Sequence, residues 1–196
     1  MSTRGVYGFR KNGVDKLSYN HYDSYPSGLG NDVIEFCKSM SIKELNALYD
    51  RLEMINEDIP PTPEQIDFCK PWTNLNVSNE STSDWYCLLH GAQGNLSAYK
   101  DGLRYMLDSD YFIKDSLFCE YGYIVNLDNN TLEFWEGFQK KPQEGNRYGT
   151  EVKESIDEKT KYYPCNLSLT FSLENIPDDA VDQMNTVSKD EMEEGM

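Results

Sequence analysis

The chain opens with two short runs of alternating residues. Residues 3–10 carry β-favouring types in partial alternation, and Asn12-Gly13 follows as the strongest short-range hairpin signal. Val14 to Asn20 then returns, with Leu17 and Tyr19 on one face and Lys16, Ser18 and Asn20 on the other. Val14, next to the turn, stands off that pattern. The two runs predict an N-terminal β-hairpin. A polar, glycine-containing loop from His21 to Gly30 comes next.

The pattern then changes to helical spacing. Asn31 or Asp32 can cap a segment whose apolar side holds Val33, Ile34, Phe36, Cys37 and Met40. Ser41-Ile42-Lys43-Glu44 reads as a capping box, opening a helix with Ile42, Leu45, Leu48, Leu52 and Ile55 inward. Pro60-Pro61 ends that run, and Thr62-Pro63-Glu64-Gln65 starts another helix with proline at its first position. Residues 71–83 are polar and read as a loop. Ser83 can cap a helix carrying Trp85, Leu88, Leu89 and Ala92, broken by Gly91, Gly94 and Asn95. A further helix is expected over residues 96–107, with Tyr99, Leu103, Met106 and Leu107 inward.

The last third turns to strands. Residues 117–127 are rich in β-formers, Asp128-Asn129-Asn130 is a turn, and residues 131–139 return with Leu132, Phe134 and Trp135. Residues 140–160 are charged and read as a long mobile loop. Leu167, Leu169, Phe171 and Leu173 alternate within a strand over residues 162–173. A short helix from Asp178 and a frayed tail follow. The expected fold is α+β: an N-terminal hairpin, central helices, and C-terminal antiparallel strands forming a sheet packed by helices. Residues 1–186 read as a single domain and 187–196 as an acidic flexible tail. Trp85, Trp135, Tyr121 and Tyr123 read as core aromatics.

Charge narrows the partners. The net charge is −16, from 34 acidic and 18 basic residues. Such a surface repels a phosphate backbone, so direct nucleic-acid binding is not expected, whereas a partner with a basic surface is attracted. The asymmetry is local. Arg4, Arg10, Lys11 and Lys16 lie in the first thirty residues, while Asp178, Asp179, Asp182, Asp190, Glu191, Glu193 and Glu194 crowd the end. That acidic end reads either as a solvated tail or as a segment that docks on a basic protein. Five scattered cysteines without a CxxC pair read as free buried thiols in a reducing compartment. With no apolar run of spanning length and no leader pattern, a cytoplasmic, non-membrane protein is expected.

The densest polar cluster is Asn20-His21-Tyr22-Asp23-Ser24-Tyr25, at a strand-to-helix junction. In extended backbone His21 and Asp23 share a side, and such a pair can hold an imidazole as a base. The same residues can instead satisfy turn amides, with His21 merely buried. A helix start after Gly28 and Gly30 offers N–H groups to an anion. Removal of Met1 would leave Ser2 at the head of a strand, where N-terminal nucleophile hydrolases keep their nucleophile. Ser2 can equally be a mere second residue. Only His21 and His90 are present and no metal spacing exists, so neither metal nor cofactor is expected.

Thr3-Arg4-Gly5, Tyr7-Gly8, Asn20-His21-Tyr22-Asp23-Ser24-Tyr25-Pro26 and Gly28-Leu29-Gly30 together carry a family resemblance. It continues through Gln93-Gly94-Asn95-Leu96, residues 112–121, Asn146-Arg147-Tyr148, Tyr162-Tyr163-Pro164 and Asn175-Ile176-Pro177. On these residues the chain resembles a family of small proteins from phages and prophages of Gram-positive bacteria, over all but the residues after about 186. The resemblance implies context and no mechanism. With the acidic charge it suggests an accessory protein that binds and inhibits a bacterial host protein, such as an immune effector, as anti-CRISPR proteins do. The alternatives are a hydrolase of N-terminal-nucleophile type, or a small-molecule or nucleotide-binding protein. The latter would use the His21–Asp23 loop together with Arg4, Arg10 and Lys11.

Overall fold

A computed structural model describes residues 3–152 and 161–194. In chain order the strands and helices are β1 (Gly5–Lys11), β2 (Val14–Asn20), α1 (Asn31–Lys38), α2 (Ile42–Arg51), β3 (Glu53–Ile55), α3 (Pro63–Cys69), α4 (Trp85–Leu89), α5 (Ser97–Lys100), β4 (Tyr105–Leu107), β5 (Tyr121–Asn126), β6 (Thr131–Glu136), β7 (Asn166–Ser172) and α6 (Ala180–Glu194). The main sheet has the order β2-β1-β5-β6-β7. The fold is α+β, with both expected hairpins and a mixed sheet. The N-terminal hairpin and the β5-β6-β7 set are antiparallel, and the two are joined by β1 running parallel to β5. β3 and β4 form a separate two-stranded parallel ribbon.

The strand period of two divides the residues between two faces. Tyr7 and Phe9 of β1, Tyr123 and Val125 of β5, Leu132 and Phe134 of β6 and Phe171 of β7 join one apolar cluster with the helices. Val6, Leu17, Ile124 and Trp135 point to the other side, where Ile113, Cys119 and Cys165 cover them. Gly8 makes the tight hairpin possible: a Cβ there would stand 2.0 Å from the Lys16 carbonyl oxygen. At the tip, Asn12 (φ 53°) and Gly13 (φ 74°) take the left-handed conformations that an Asn-Gly turn requires.

The second face carries a buried charge network. Glu133 is 4% exposed in its side chain and accepts from both terminal nitrogens of Arg147 at 2.8 and 2.5 Å. Asn126 and Trp135 Nε1 also donate to it, at 2.7 and 3.0 Å. The Arg147 guanidinium lies over the Trp135 ring, 4.6 Å from its centroid. Tyr148 extends the network to Asp15, donating at 2.9 Å, and Asp15 accepts from Arg10 at 2.8 Å. The charged segment after β6 is therefore pinned to the sheet through residues 146–148, also by Asn146 Nδ2 bonding the Cys165 carbonyl.

Several boundaries depart from the periodicity. The Ser41 capping box forms as expected, but the helix ends at Arg51. There Lys16 Nζ donates to the carbonyls of Tyr49 and Leu52 at 2.9 and 2.6 Å, and Glu53 N–H bonds the Arg104 carbonyl. A cation from β2 thus satisfies the end of α2, and Met54 and Ile55 enter a strand. The helix expected over 96–107 is only α5; Gly102 (φ 113°) turns the chain, and Tyr105–Leu107 pair with β3. Asp84, not Ser83, caps α4. β5, β6 and β7 start later or end earlier than their apolar runs. α6 is fifteen residues long rather than short, continuing from Ala180 to Glu194 through much of the stretch expected as tail. Ala180 and Met184 bury it against the core, and Ser188 bonds Glu136 at 2.5 Å.

The Glu133–Arg147 pair gives a direct test. Arg147→Met leaves a buried carboxylate without its cation, and should lower unfolding free energy by about 2–4 kcal/mol in urea denaturation. Adding Glu133→Gln should recover part of that loss, since the amide still accepts from Trp135 and carries no charge.

A tyrosine-lined cavity at the outer edge of β2

The expected loop site is built differently from its sequence reading. Asp23 has φ 53°, so the chain is not extended there and the alternation that set His21 beside Asp23 fails. Among the described residues no hydrogen bond or ion pair joins them. His21 Nδ1 instead lies 2.6 Å from the Tyr19 hydroxyl, and its ring meets that of Tyr22 edge-on at 4.3 Å. The Asp23 carbonyl accepts from Leu29, and the Tyr25 carbonyl accepts from Gly28 and Gly30. The N–H groups of Gly28, Leu29 and Gly30, expected to face an anion at this helix start, are thus turned inward.

Asn20 and Ser24 act as a buried clamp. Asn20 Nδ2 donates to Ser24 Oγ at 2.8 Å and also to the Tyr22 carbonyl, while Tyr123 donates to the Ser24 carbonyl at 2.9 Å. Ser24 N–H bonds the Thr3 carbonyl at 3.2 Å, tying the loop to the head of β1. Ser2 lies outside the described residues. Arg4 stacks over Phe118 at 4.8 Å, and its backbone N–H bonds Glu120. Arg10 and Lys11 lie at the opposite end of β1, roughly 20 Å along an extended strand from Arg4. They pair with Asp15 and Asp50, so the three cations do not converge on the loop. Tyr22 and Tyr25 are exposed.

Of the acidic candidates, Asp178 pairs with Lys38 at 3.0 Å while remaining fully exposed, and Asp179 accepts from Gln183. Asp182 sits in the first turn of α6. Glu191, Glu193 and Glu194 belong to the same helix by backbone; their side chains lie outside the described residues.

Beside the loop is a cavity that no single stretch of sequence announces. It has a volume of about 300 Å³ and runs along the outer edge of β2, where the two sheet faces meet. Tyr7, Tyr19, Tyr86, Tyr99 and Tyr111 line it, with Ser18, His90, Ser109 and Phe112 among the other wall residues. They come from several separate elements. The hairpin presents Tyr7 and Tyr19 on opposite faces, α4 presents Tyr86, and the tight turn at Asp110–Lys114 presents Tyr111 and Phe112. Ser109 N–H bonds the Leu17 carbonyl at 2.9 Å, so an outer carbonyl of edge strand β2 is taken by a loop.

The floor is rigid. Tyr7 donates to the Ala92 carbonyl at 3.0 Å and accepts from Gly94 N–H at 3.1 Å, and the Tyr99 hydroxyl interacts with it. Gly94 (φ 70°) has no room for a side chain, since a Cβ would stand 2.6 Å from Asn20 Oδ1. The Asn20 clamp and the cavity floor therefore share a wall. Burial pushes the hydroxyls of Tyr7 and Tyr99 above the usual tyrosine range, Tyr99 well above it. Tyr19 is raised by burial as well, with the charge of Arg4 opposing. The rim is more open: Tyr111 is 59% exposed, and Tyr86 packs edge-on against His90 at 5.3 Å. Tyr7 and Tyr19 were visible as hairpin residues, but their convergence with residues 86, 99 and 111 depends on tertiary contacts.

All five cysteines are buried and free. Burial lifts the Cys37 thiol to about 12 and the Cys69 thiol to about 11, so neither is a nucleophile near neutrality. Among the described residues no three His, Cys, Asp or Glu side chains gather as metal ligands, and no helix is long and apolar enough to cross a membrane. Neither a protein-family model, nor a curated protein, nor a solved structure matches the chain.

The tyrosine floor fixes an alkaline limit. Tyr7 and Tyr99 stay protonated in the folded state at pH values where free tyrosine, near 10, has ionised. The unfolded chain then binds fewer protons, so stability is full below about pH 10 and falls as pH rises beyond it. Urea midpoints across that window should drop, and tyrosinate absorbance should show a fraction of the tyrosines ionising only as the chain unfolds.

Proposed function

We propose that the chain is a small-molecule-binding protein whose site is the tyrosine-lined cavity beside the His21 loop. One observation carries this reading: five of the chain's 14 tyrosines converge on a single cavity of about 300 Å³. Ligand sites are concave, largely aromatic or apolar, and fitted with a few fixed polar groups. Here the fixed groups are phenolic hydroxyls, the Ser18 and Ser109 side chains and His90. The hydrogen-bonded floor of Tyr7 and Tyr99 supplies preorganisation, which lowers the entropic cost of binding. The half-buried Tyr86 and the exposed Tyr111, at the rim, supply the entrance. His21 stands behind Tyr19 as a positioning residue, holding its hydroxyl.

The test is a panel of cationic, neutral and anionic small molecules read by thermal unfolding and by NMR shifts at the rim. A binder at ten times its dissociation constant should add about 1.4 kcal/mol of stability, and Tyr86→Ala should abolish the gain. If no class of compound raises the melting temperature or perturbs Tyr86, the cavity is packing space and the reading fails.

A second reading rests on a separate observation, the exposure of Tyr22 and Tyr25, at 61% and 39%, on a clamped loop. Rigid exposed tyrosines anchor protein interfaces. With the −16 charge they support an accessory protein that engages a basic surface on a bacterial host protein, in a cytoplasm where five free thiols stay reduced. Purification from a Gram-positive host should then recover one partner whose association rate falls with salt and whose affinity drops at least about tenfold in Tyr22→Ala/Tyr25→Ala. Binding indifferent to both changes removes this reading.

A further inference from the structure

The cavity walls share an electrical character. Five tyrosines and Phe112 line it, and the one carboxylate among its described lining residues is Glu57, in the turn that follows β3. Among the described residues no Lys or Arg lines it, and His90 is the one basic side chain in the wall; Arg4, whose charge reaches Tyr19, stands outside it. Glu57 is exposed and has no ion-pair partner among the described residues. Aromatic faces present negative quadrupole density, and a ring of them attracts a cation more strongly as water is excluded. The chain's overall negative charge adds a field of the same sign.

These features rank the ligand classes. An anion would meet Glu57 and five phenols, with the single His90 ring and, among the described residues, no Lys or Arg to balance it. A neutral molecule would gain hydrogen bonds but leave the carboxylate without a partner. A cation satisfies both the rings and the carboxylate. Size narrows the class further. At roughly 30 Å³ per water, the cavity holds the equivalent of about ten waters, hence a ligand of about ten non-hydrogen atoms. A nucleotide is far larger than that.

We infer that the ligand is a small organic cation, an ammonium ion caged by Tyr19, Tyr86 and Tyr111 with Glu57 as its counter-charge. This deepens the binding-site reading above and rests on it. Protonated primary amines and quaternary ammonium ions share this chemistry. A primary amine additionally donates hydrogen bonds to the phenolic oxygens and to Glu57, so a comparison of the two separates cage from hydrogen bonding.

Calorimetry on the full chain decides it with matched pairs: choline against its uncharged analogue with carbon in place of nitrogen, and phenethylamine against phenethyl alcohol. At least one cation should bind about thirtyfold more tightly than its neutral partner. Tyr86→Leu and Tyr111→Leu should each weaken the cation about tenfold, with much smaller effects on the neutral analogue. Glu57→Gln should weaken it about threefold and flatten its salt dependence. Circular dichroism should show all three variants folded, as these residues lie at the rim. If neutral partners or anions such as benzoate enter as well as or better than the cations, the charge assignment is overturned while the binding-site reading stands. If no probe of any charge binds or perturbs Tyr86, both fall together.

Discussion

β1 lies parallel to β5, with Gly5 opposite Tyr121, and everything else in the molecule is arranged around that pairing. A parallel neighbour cannot be reached by a tight turn, so the chain must leave the sheet and come back. Here the excursion holds the first five helices and the β3–β4 ribbon. They return onto the face formed by Tyr7, Phe9, Tyr123 and Val125 and bury it. The pairing also sets β2 at the outer edge, since β1 has only two sides and β5 takes one. The cavity exists because that edge is left to loops. Segments around Ser109 and Ala92 lean on β2 and β1 through isolated hydrogen bonds, to the Leu17 carbonyl and the Tyr7 hydroxyl, rather than a ladder, and space remains between them.

The opposite face answers a different problem. Among the described residues none of α1–α6 contributes to the cluster of Val6, Leu17, Ile124 and Trp135, and the connection from β6 to β7 is rich in charge. Glu133 and Arg147 make that connection usable as a lid. Burying either charge alone costs several kcal/mol, so each holds the other, and the bidentate geometry with Asn126 and Trp135 fixes the register of the segment on the sheet. Stacking of Arg147 on Trp135 adds apolar contact to the same residue. A hydrophobic substitute could match the stability, but would lack the directionality that places Tyr148 against Asp15 and so joins the lid to the N-terminal hairpin.

Where a local rule was strong enough to act alone, the sequence displayed the structure. Asn12-Gly13, the Ser41–Glu44 capping box and the Thr62–Gln65 cap with Pro63 appear as read. The alternation of β7 holds for Leu169 and Phe171, but a bulge opposite Phe134 and Trp135 turns Leu167 to the other face. The departures occur where a distant group intervened. Leu52 and Ile55 continue a helical spacing, yet Lys16 closes α2 and Arg104 draws the chain into a strand. Leu103 and Met106 fit a helix as well as a strand, and Gly102 decides between them. The site suffered most from this. A cluster contiguous in sequence, residues 20–25, drew attention because its polarity is visible in one line of text. The cavity gathers residues from 7 to 112, and its only sequence trace is an abundance of tyrosine.

The contiguous cluster and the dispersed cavity are nevertheless one construction. Asn20 holds Ser24, Ser24 is held by Tyr123 at the centre of the sheet, and Asn20 leaves Gly94 no space for a side chain. Gly94 in turn donates to Tyr7, whose hydroxyl organises the cavity floor with Tyr99. On the outer face, His21 holds Tyr19. The loop residues therefore act on the cavity from behind, through glycine and tyrosine, rather than by meeting a ligand. That arrangement explains why Asn20, His21 and Ser24 are bonded inward. These three side chains fix two aromatic walls, and the phenols in front of them are what the cavity presents.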